Sequence, residues 1–531
     1  MSSHDPQADR RHVTSLLKPG VPHRLNLADE AQHRFLLNHL ASTGKTPQTL
    51  PEFFRALERT RAAHVQNGGP QLATLTGTEP PVSMITGIES QDRINYIASA
   101  LSAYPDGCYY TYISLQLFDA ETGEPIGAKA EQSVYSGGEY VPIQTNGQIQ
   151  PGKAVRAELV VSYAPPVRET EDEIQTTIES TTINNFPKTP PKSTAPVPKP
   201  THSTPYTLIC LRRSAGNDAD CDYGPYGTQT VVVPVQGSIT YNSAILPLTL
   251  DNASAQLYVV SRTTGNNTKY FLPGQPITTN FSISSTDPTK LTWNFDVANF
   301  GVPDPFANFS FVDIQLSFAV TTQASPNQIP AWVTSVVDTA PGPSVEKILP
   351  LQFADGCIAE GTLITLADGT TRPIEEFEGN EKVLSTNGAV MTVRLTNSGV
   401  ETDLMIQVKD EQNRLLKITS KHPVLTDNGP KQAHLLQVND SLITSDGTAR
   451  IVEISHVAFG GRVWNLTLGV GDGELNNLAD DKRAFFANGI MVGDAAMQSI
   501  FSQAQKEKTD NILARLPERW HQDFLNSLNQ P

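Results

Sequence analysis

The stretch Asp355-Gly356-Cys357-Ile358-Ala359-Glu360-Gly361-Thr362-Leu363-Ile364, running on to Asp368-Gly369 and Pro373-Ile374-Glu375, decides how the C-terminal third of this 531-residue chain is read. Short apolar pairs alternate with turn residues, and Asp-Gly between two such runs is a hairpin turn signal. Two further blocks follow: Thr419-Ser420-Lys421-His422-Pro423, then Val463-Trp464-Asn465-Leu466-Thr467 with Phe485-Phe486-Ala487-Asn488-Gly489-Ile490-Met491-Val492. Singly, each residue is ordinary. A lone Cys is a small buried hydrophobe, and a lone His-Pro begins a strand or turn. The signal is the combination of a Gly-Cys junction, a Thr-x-x-His and a closing Phe-Ala-Asn-Gly-Ile strand in that order.

In that order the blocks resemble the Hint domain, the self-cleaving fold shared by inteins, the C-terminal part of Hedgehog proteins and bacterial intein-like domains, over residues of about 355–494 only. The resemblance implies an all-β horseshoe at 357–494, a scissile bond between Gly356 and Cys357, and Cys357, Thr419 and His422 as catalytic residues. The chemistry explains the residue types. A Cys that follows a Gly can turn its sulfur onto the preceding carbonyl through a five-membered ring, converting the amide to a thioester, and intramolecularity gives the attack a very high effective concentration. Amide nitrogen leaves only when protonated, and His422, with an ordinary pKa near neutrality, is suited to supply the proton. Thr419 is expected to hydrogen-bond the scissile peptide and hold it in a distorted geometry.

The far end departs from the intein pattern. Splicing inteins end in His-Asn followed by Cys, Ser or Thr, whereas the matching positions here are Gly493-Asp494-Ala495. Gly493 is no acid, Asp494 cyclises far less readily than Asn, and Ala495 is no nucleophile. Arg483 stands where a His often precedes the closing strand, and Asn465 where many inteins carry Asp. The expected reaction is therefore half of splicing: thioester formation at Cys357, then release of residues 1–356 by water or an external nucleophile, with the chain's own N-terminal segment as the substrate. The alternative from another class is a structural or adhesion-type β-protein carrying an inactive Hint fold.

Composition bounds the remainder. A charged content of 18% and an apolar content of 38% are those of folded domains joined by polar linkers. The net charge of −16 argues against nucleic acid as a partner. Met1 to Pro22 is polar with no apolar core of a signal peptide, and no run of 18 apolar residues occurs, so no membrane span is expected. The compartment stays open between the cytoplasm and export by a route without such a signal. No cofactor is expected.

Along the chain, residues 1–71 read as a polar tail and a helical segment, with helix starts near Asn26–Ala31 and at Leu50-Pro51. Residues 72–165 alternate like a small β-sandwich. The Thr-, Pro- and Ser-rich stretch 166–205 reads as an extended linker. A second β-sandwich-like domain is expected at 206–340, with strands at 230–235, 255–260 and 311–318, then a junction at 341–356. Past the Hint segment, 495–531 has the spacing of two amphipathic helices broken at Pro517, expected to pack back onto it or, as in Hedgehog proteins, to present an acceptor to the thioester. The fold class expected is mainly β with helical N- and C-terminal segments. Cys210 and Cys221 are placed for a disulfide if the protein is exported, and read equally well as reduced thiols. Asp218, Asp220 and Asp222 are spaced like the start of a calcium loop, but Tyr223 and Gln229 stand where that loop needs Gly and Glu, so no metal is expected.

Overall fold

The computed structural model describes residues 6–18, 20–70, 82–104, 108–137, 140–164, 174–193, 206–210, 222–223, 233–262, 267–269, 277–296, 311–354, 357–401, 404–469, 483–495, 497, 512–513 and 516–528. The chain is mainly β, arranged in several sheets with helices near its two ends.

Three helices open the chain: α1 (Pro6–Leu16), α2 (Glu30–Ala41) and α3 (Pro51–Asn67). α1 lies inside the stretch expected to be a polar tail. Its charge is satisfied locally, since buried Asp9 receives two hydrogen bonds from Arg34 of α2, at 3.1 and 3.0 Å, and its apolar Val13 is fully buried. Asp29 caps α2 by accepting from the backbone N–H groups of Ala31 (2.9 Å) and Gln32 (3.0 Å), a cap worth about 1 kcal/mol. α3 begins with Pro51 in its first turn and ends at Gly68 in the left-handed conformation, φ 72°, which lacks a Cβ penalty.

These helices lie on one face of a five-stranded sheet in the order His23–Arg24, Gln175–Ile183, Val155–Ala164, Cys108–Asp119, Ala130–Gly137. Phe35, Leu36, Leu40, Phe53 and Leu57 meet Tyr110, Tyr112, Val160 and Ile178 there. The opposite face, with Ile113, Leu115, Leu117 and Leu159, packs on a three-stranded sheet of Val82–Glu89, Asn95–Ala103 and Tyr140–Gln148. A sheet covered on both faces explains why Tyr110 to Phe118 is buried without interruption.

The linker expected at 166–205 is corrected by this sheet over 174–193, its remaining residues lying outside the described ones. Gln175–Ile183, inside 166–205, is an inner strand pairing Val155–Ala164 on one side and His23–Arg24 on the other. Its Thr-rich composition suits a pleated strand as well as a linker, and Ile174, Ile178 and Ile183 supply the buried contacts. Thr189–Ser193 is a strand too, paired with Pro234–Thr240.

A seven-stranded and a four-stranded sheet follow, enclosing a core that includes Tyr241, Leu257, Val259, Trp293, Phe295, Ile314, Leu316 and Phe318. The expected strands at 255–260 and 311–318 lie within Ala253–Ser261 and Phe311–Thr322. Of the one at 230–235, residues 230–232 lie outside the described residues, and Pro234 and Val235 open the strand Pro234–Thr240. The junction expected at 341–356 is strand as well: Val345–Lys347 pairs with Ser325–Thr334, and Leu351–Ala354 lies between Thr207–Cys210, in parallel, and Phe311–Thr322. Leu351 is fully buried in this core.

From Ile358 to Gly493 short strands join in one long, folded-over sheet around Ile364, Val393, Ile418, Val424, Leu466, Phe485 and Val492. Gly369, φ 84°, turns the hairpin between Leu363–Thr365 and Thr371–Pro373.

The tail is corrected. Met497 does pack on this unit, with Phe486 and Met491. The stretch from Leu516, comprising a 3-10 turn (Glu518–Trp520) and α4 (His521–Leu528), instead packs on the N-terminal helices. The pairing partner Cys221, the side chain of Cys210, and Asp218 and Asp220 lie outside the described residues. Among the described residues no group of His, Cys, Asp and Glu is placed to hold a metal ion, and no helix is long and apolar enough to cross a membrane.

Candidate active site

Backbone register brings Cys357 and Thr419 together. The two-residue strand Ile358–Ala359 pairs antiparallel with Leu415–Ile418 on one side and Arg462–Gly469 on the other. Ile358 sits opposite Ile418, so stepping out by one residue sets Cys357 opposite Thr419. The Thr419 hydroxyl accepts a hydrogen bond from the Cys357 N–H at 2.8 Å, and the Thr419 N–H donates to the Cys357 carbonyl at 2.9 Å. The Cys357 nitrogen is half of the Gly356–Cys357 peptide, so a side chain 62 positions away holds the atom that would leave. Gly356 itself lies outside the described residues.

Thr419 to His422 forms a pinned turn. The His422 N–H donates to the Thr419 carbonyl (3.2 Å), the Ala433 N–H donates to the His422 carbonyl (3.0 Å), and the His434 N–H donates to the Ser420 carbonyl (2.9 Å). Pro423, which has no N–H to give a ladder, starts the strand Pro423–Thr426. Cys357, Thr419 and His422 are all buried, at 1, 5 and 0% exposure. Around Cys357 the surface is apolar: Ala359, Met405 and Val463, with Val457 and Phe459 at the edge.

The C-terminal end of the unit shows why Gly493-Asp494-Ala495 is built as it is. Asp494 is fully buried. One carboxylate oxygen accepts from the Leu468 N–H (2.9 Å) and the other from the Met497 N–H (2.7 Å), while its own N–H donates to the Arg483 carbonyl (2.8 Å). It ties three segments together. A Cβ on Gly493 would meet Met497 Sδ at 2.5 Å and Pro423 Cγ at 2.9 Å, so no side chain fits there without movement. Asn465, also buried, accepts from the Leu466 N–H at 2.8 Å.

Residues from the preceding sheets reach this end. The Gln352 amide donates to the Ala495 carbonyl at 3.4 Å. The Tyr206 phenol, pushed up to about 12 by burial, feels the Asp494 charge. Sequence reasoning missed the roles of Asp494, Gln352 and Tyr206. Asp494 carried a findable signal, a carboxylate three residues ahead of the N–H it caps. Gln352 and Tyr206 carried none, because their partners are more than 140 positions away.

No protein-family model and no curated protein matches the chain. About a quarter of it is similar to solved intein structures. These include the gp41-1 intein (15% identity, 27% of this chain and 100% of that one, TM-score 0.22) and the DnaB intein from Synechocystis sp. PCC 6803 (22% identity, 26% and 98%, TM-score 0.22). A bacterial intein-like domain from Clostridium thermocellum is similar over 26% of this chain and 98% of its own, at 23% identity and a TM-score of 0.22. Likenesses this low say nothing of chemistry.

Proposed function

We propose that this chain is its own substrate: a C-terminal Hint domain, 357–494, cuts the Gly356–Cys357 bond once, by an N-to-S acyl shift, and does not splice. The observation that carries this reading is the reciprocal pair between Cys357 and Thr419, which holds the nitrogen that would leave by a side chain just past the end of the strand Leu415–Ile418. Cys357 Sγ releases its proton to solvent, from which His422 later recovers the one it gives up, and bonds to the Gly356 carbonyl carbon. The bond from that carbon to the Cys357 nitrogen breaks, and the nitrogen takes a proton from His422 to leave as an amine. Water or another nucleophile then adds to the thioester. With water, Gly356 ends as a carboxylic acid and Cys357 regains its thiol, with no change of oxidation state. The groups of residues 1–356, helices and two β units, are the cargo. Splicing is set aside because Gly493, Asp494 and Ala495 supply neither acid, cyclising amide nor acceptor.

A second reading, an inert Hint fold serving as a spacer, is favoured by the burial of Cys357 and His422, since core residues look the same. The two part at one bond. Pure full-length protein incubated with dithiothreitol should yield two chains of 356 and 175 residues (531 − 356 = 175) on a denaturing gel, because thiols attack thioesters far faster than amides. A chain that stays whole while folded favours the spacer.

A further inference from the structure

The tail and the first helices lie on opposite sides of the proposed cut in sequence, yet share one core. Trp520 is 0% exposed, Leu516 4% and Phe524 5%. The Trp520 ring stacks on Tyr110 at 6.1 Å, and Phe524 meets Tyr135 edge-on at 5.4 Å. A polar set surrounds these anchors. α3 has Leu50 at its N-cap, a residue with no side-chain oxygen, and the Asp523 carboxylate takes that role by accepting from the N–H groups of Glu52 (3.0 Å) and Phe53 (2.8 Å). The Tyr135 hydroxyl donates to the Asp523 carbonyl (3.1 Å) and the Asn526 amide to the Thr49 carbonyl (3.0 Å). Buried aromatic anchors with satisfied polar groups around them are the anatomy of a stable interface.

We infer that cleavage does not free residues 1–356. Resting on the self-cleavage reading above, the two pieces stay together as a noncovalent heterodimer, with residues 516–528 of the C-terminal piece clamped on the helical layer of the N-terminal piece. Each of these contacts joins a residue before the Gly356–Cys357 bond to one after it and none involves either residue of the bond, so cutting it removes none of them. The tail is the occupant of the aromatic face made by Tyr110, Tyr135 and Phe53, and the cargo separates only when the tail is displaced.

The test compares denaturing and native readouts of the same sample. The cut protein should show two chains on a denaturing gel and one species, with both chains in equal amounts, by size-exclusion chromatography and native mass spectrometry. A chain ending at Asn511 should be cut to the same extent and then elute as two separate pieces. Trp520→Ala with Phe524→Ala should separate likewise, and Trp520→Phe should stay together, which distinguishes loss of the clamp from loss of the fold. To keep the inference apart from self-cleavage, a site for a specific protease inserted between Asp355 and Gly356 in a Cys357→Ala background yields nearly the same pieces by an outside cut. Pieces that carry the whole tail and separate in either arm overturn the clamp. So do truncated pieces that still co-elute, since other contacts would then hold them.

Discussion

At the scale of single residues, the proposed site divides into groups that would react and groups that position. Cys357→Ala removes the proposed nucleophile and is expected to abolish the cut, whereas His422→Ala should slow it by roughly 10²–10⁴-fold, the usual contribution of a positioned acid. Thr419→Ala should be milder, because the backbone bond from the Thr419 N–H to the Cys357 carbonyl survives. Rates of appearance of the 175-residue piece order the three, and equal rates would point to a contaminating protease. Asp494 is a positioning residue. Asp494→Ala leaves the buried Leu468 and Met497 N–H groups without their acceptor, at a cost of about 1–3 kcal/mol each way a buried donor is orphaned, read as a fall in thermal stability. Converting Gly493, Asp494 and Ala495 to His, Asn and Cys is expected not to restore splicing, because the His Cβ has no room beside Pro423 and Met497. A ligated product from that triple variant would show that the space opens. The three proposed catalytic positions were legible as residue types in order, since each block is local. The contact between Cys357 and Thr419 was legible only through strand register, which pairs Ile358 with Ile418 across 60 positions.

At the scale of elements, local patterning and long-range pairing gave different results. α2 and α3 were readable from Asp29 and Pro51, where a cap and a fixed φ mark the start within a few residues. The Thr-rich strand Gln175–Ile183 was not, because its β-branched run also suits an extended linker and only the neighbouring strands decide between them. α4 was readable as amphipathic, but not its destination: nothing local tells whether Trp520 and Phe524 bury against the nearer unit or the farther one. Asp523→Ala is expected to lower stability by about 1–2 kcal/mol by uncapping α3, with fraying of Pro51–Phe54 seen as faster amide exchange at that end of the helix. Unchanged exchange there would contradict the cap.

At the scale of the molecule, the chain folds as sheets whose polar residues are often buried, and this leaves a pH signature. Glu89 and Glu179 are each 3% exposed, and burial pushes each up to about 8. Between the ordinary carboxyl value near 4.5 and about 8, the folded chain holds protons that the unfolded chain has lost. Stability should therefore fall as pH rises through that window, by up to about 1.4 kcal/mol per pH unit for each group, and level off above it. Denaturant midpoints across the window measure this, and Glu89→Gln with Glu179→Gln should flatten the slope; a flat wild-type profile would contradict it. The same assembly joins the tail to the first helices and the strand Leu351–Ala354 to the second β unit, so the proposed scissile bond runs between two anchored segments. Intact mass of the denatured full-length protein after incubation with hydroxylamine reads the Gly356–Cys357 bond itself. Self-cleavage should give a piece of residues 1–356 carrying a hydroxamate at Gly356 and a piece beginning at Cys357 with a free amine, neither arising from Cys357→Ala. A single unbroken mass from folded protein, or a cut at the same place in Cys357→Ala, would contradict it.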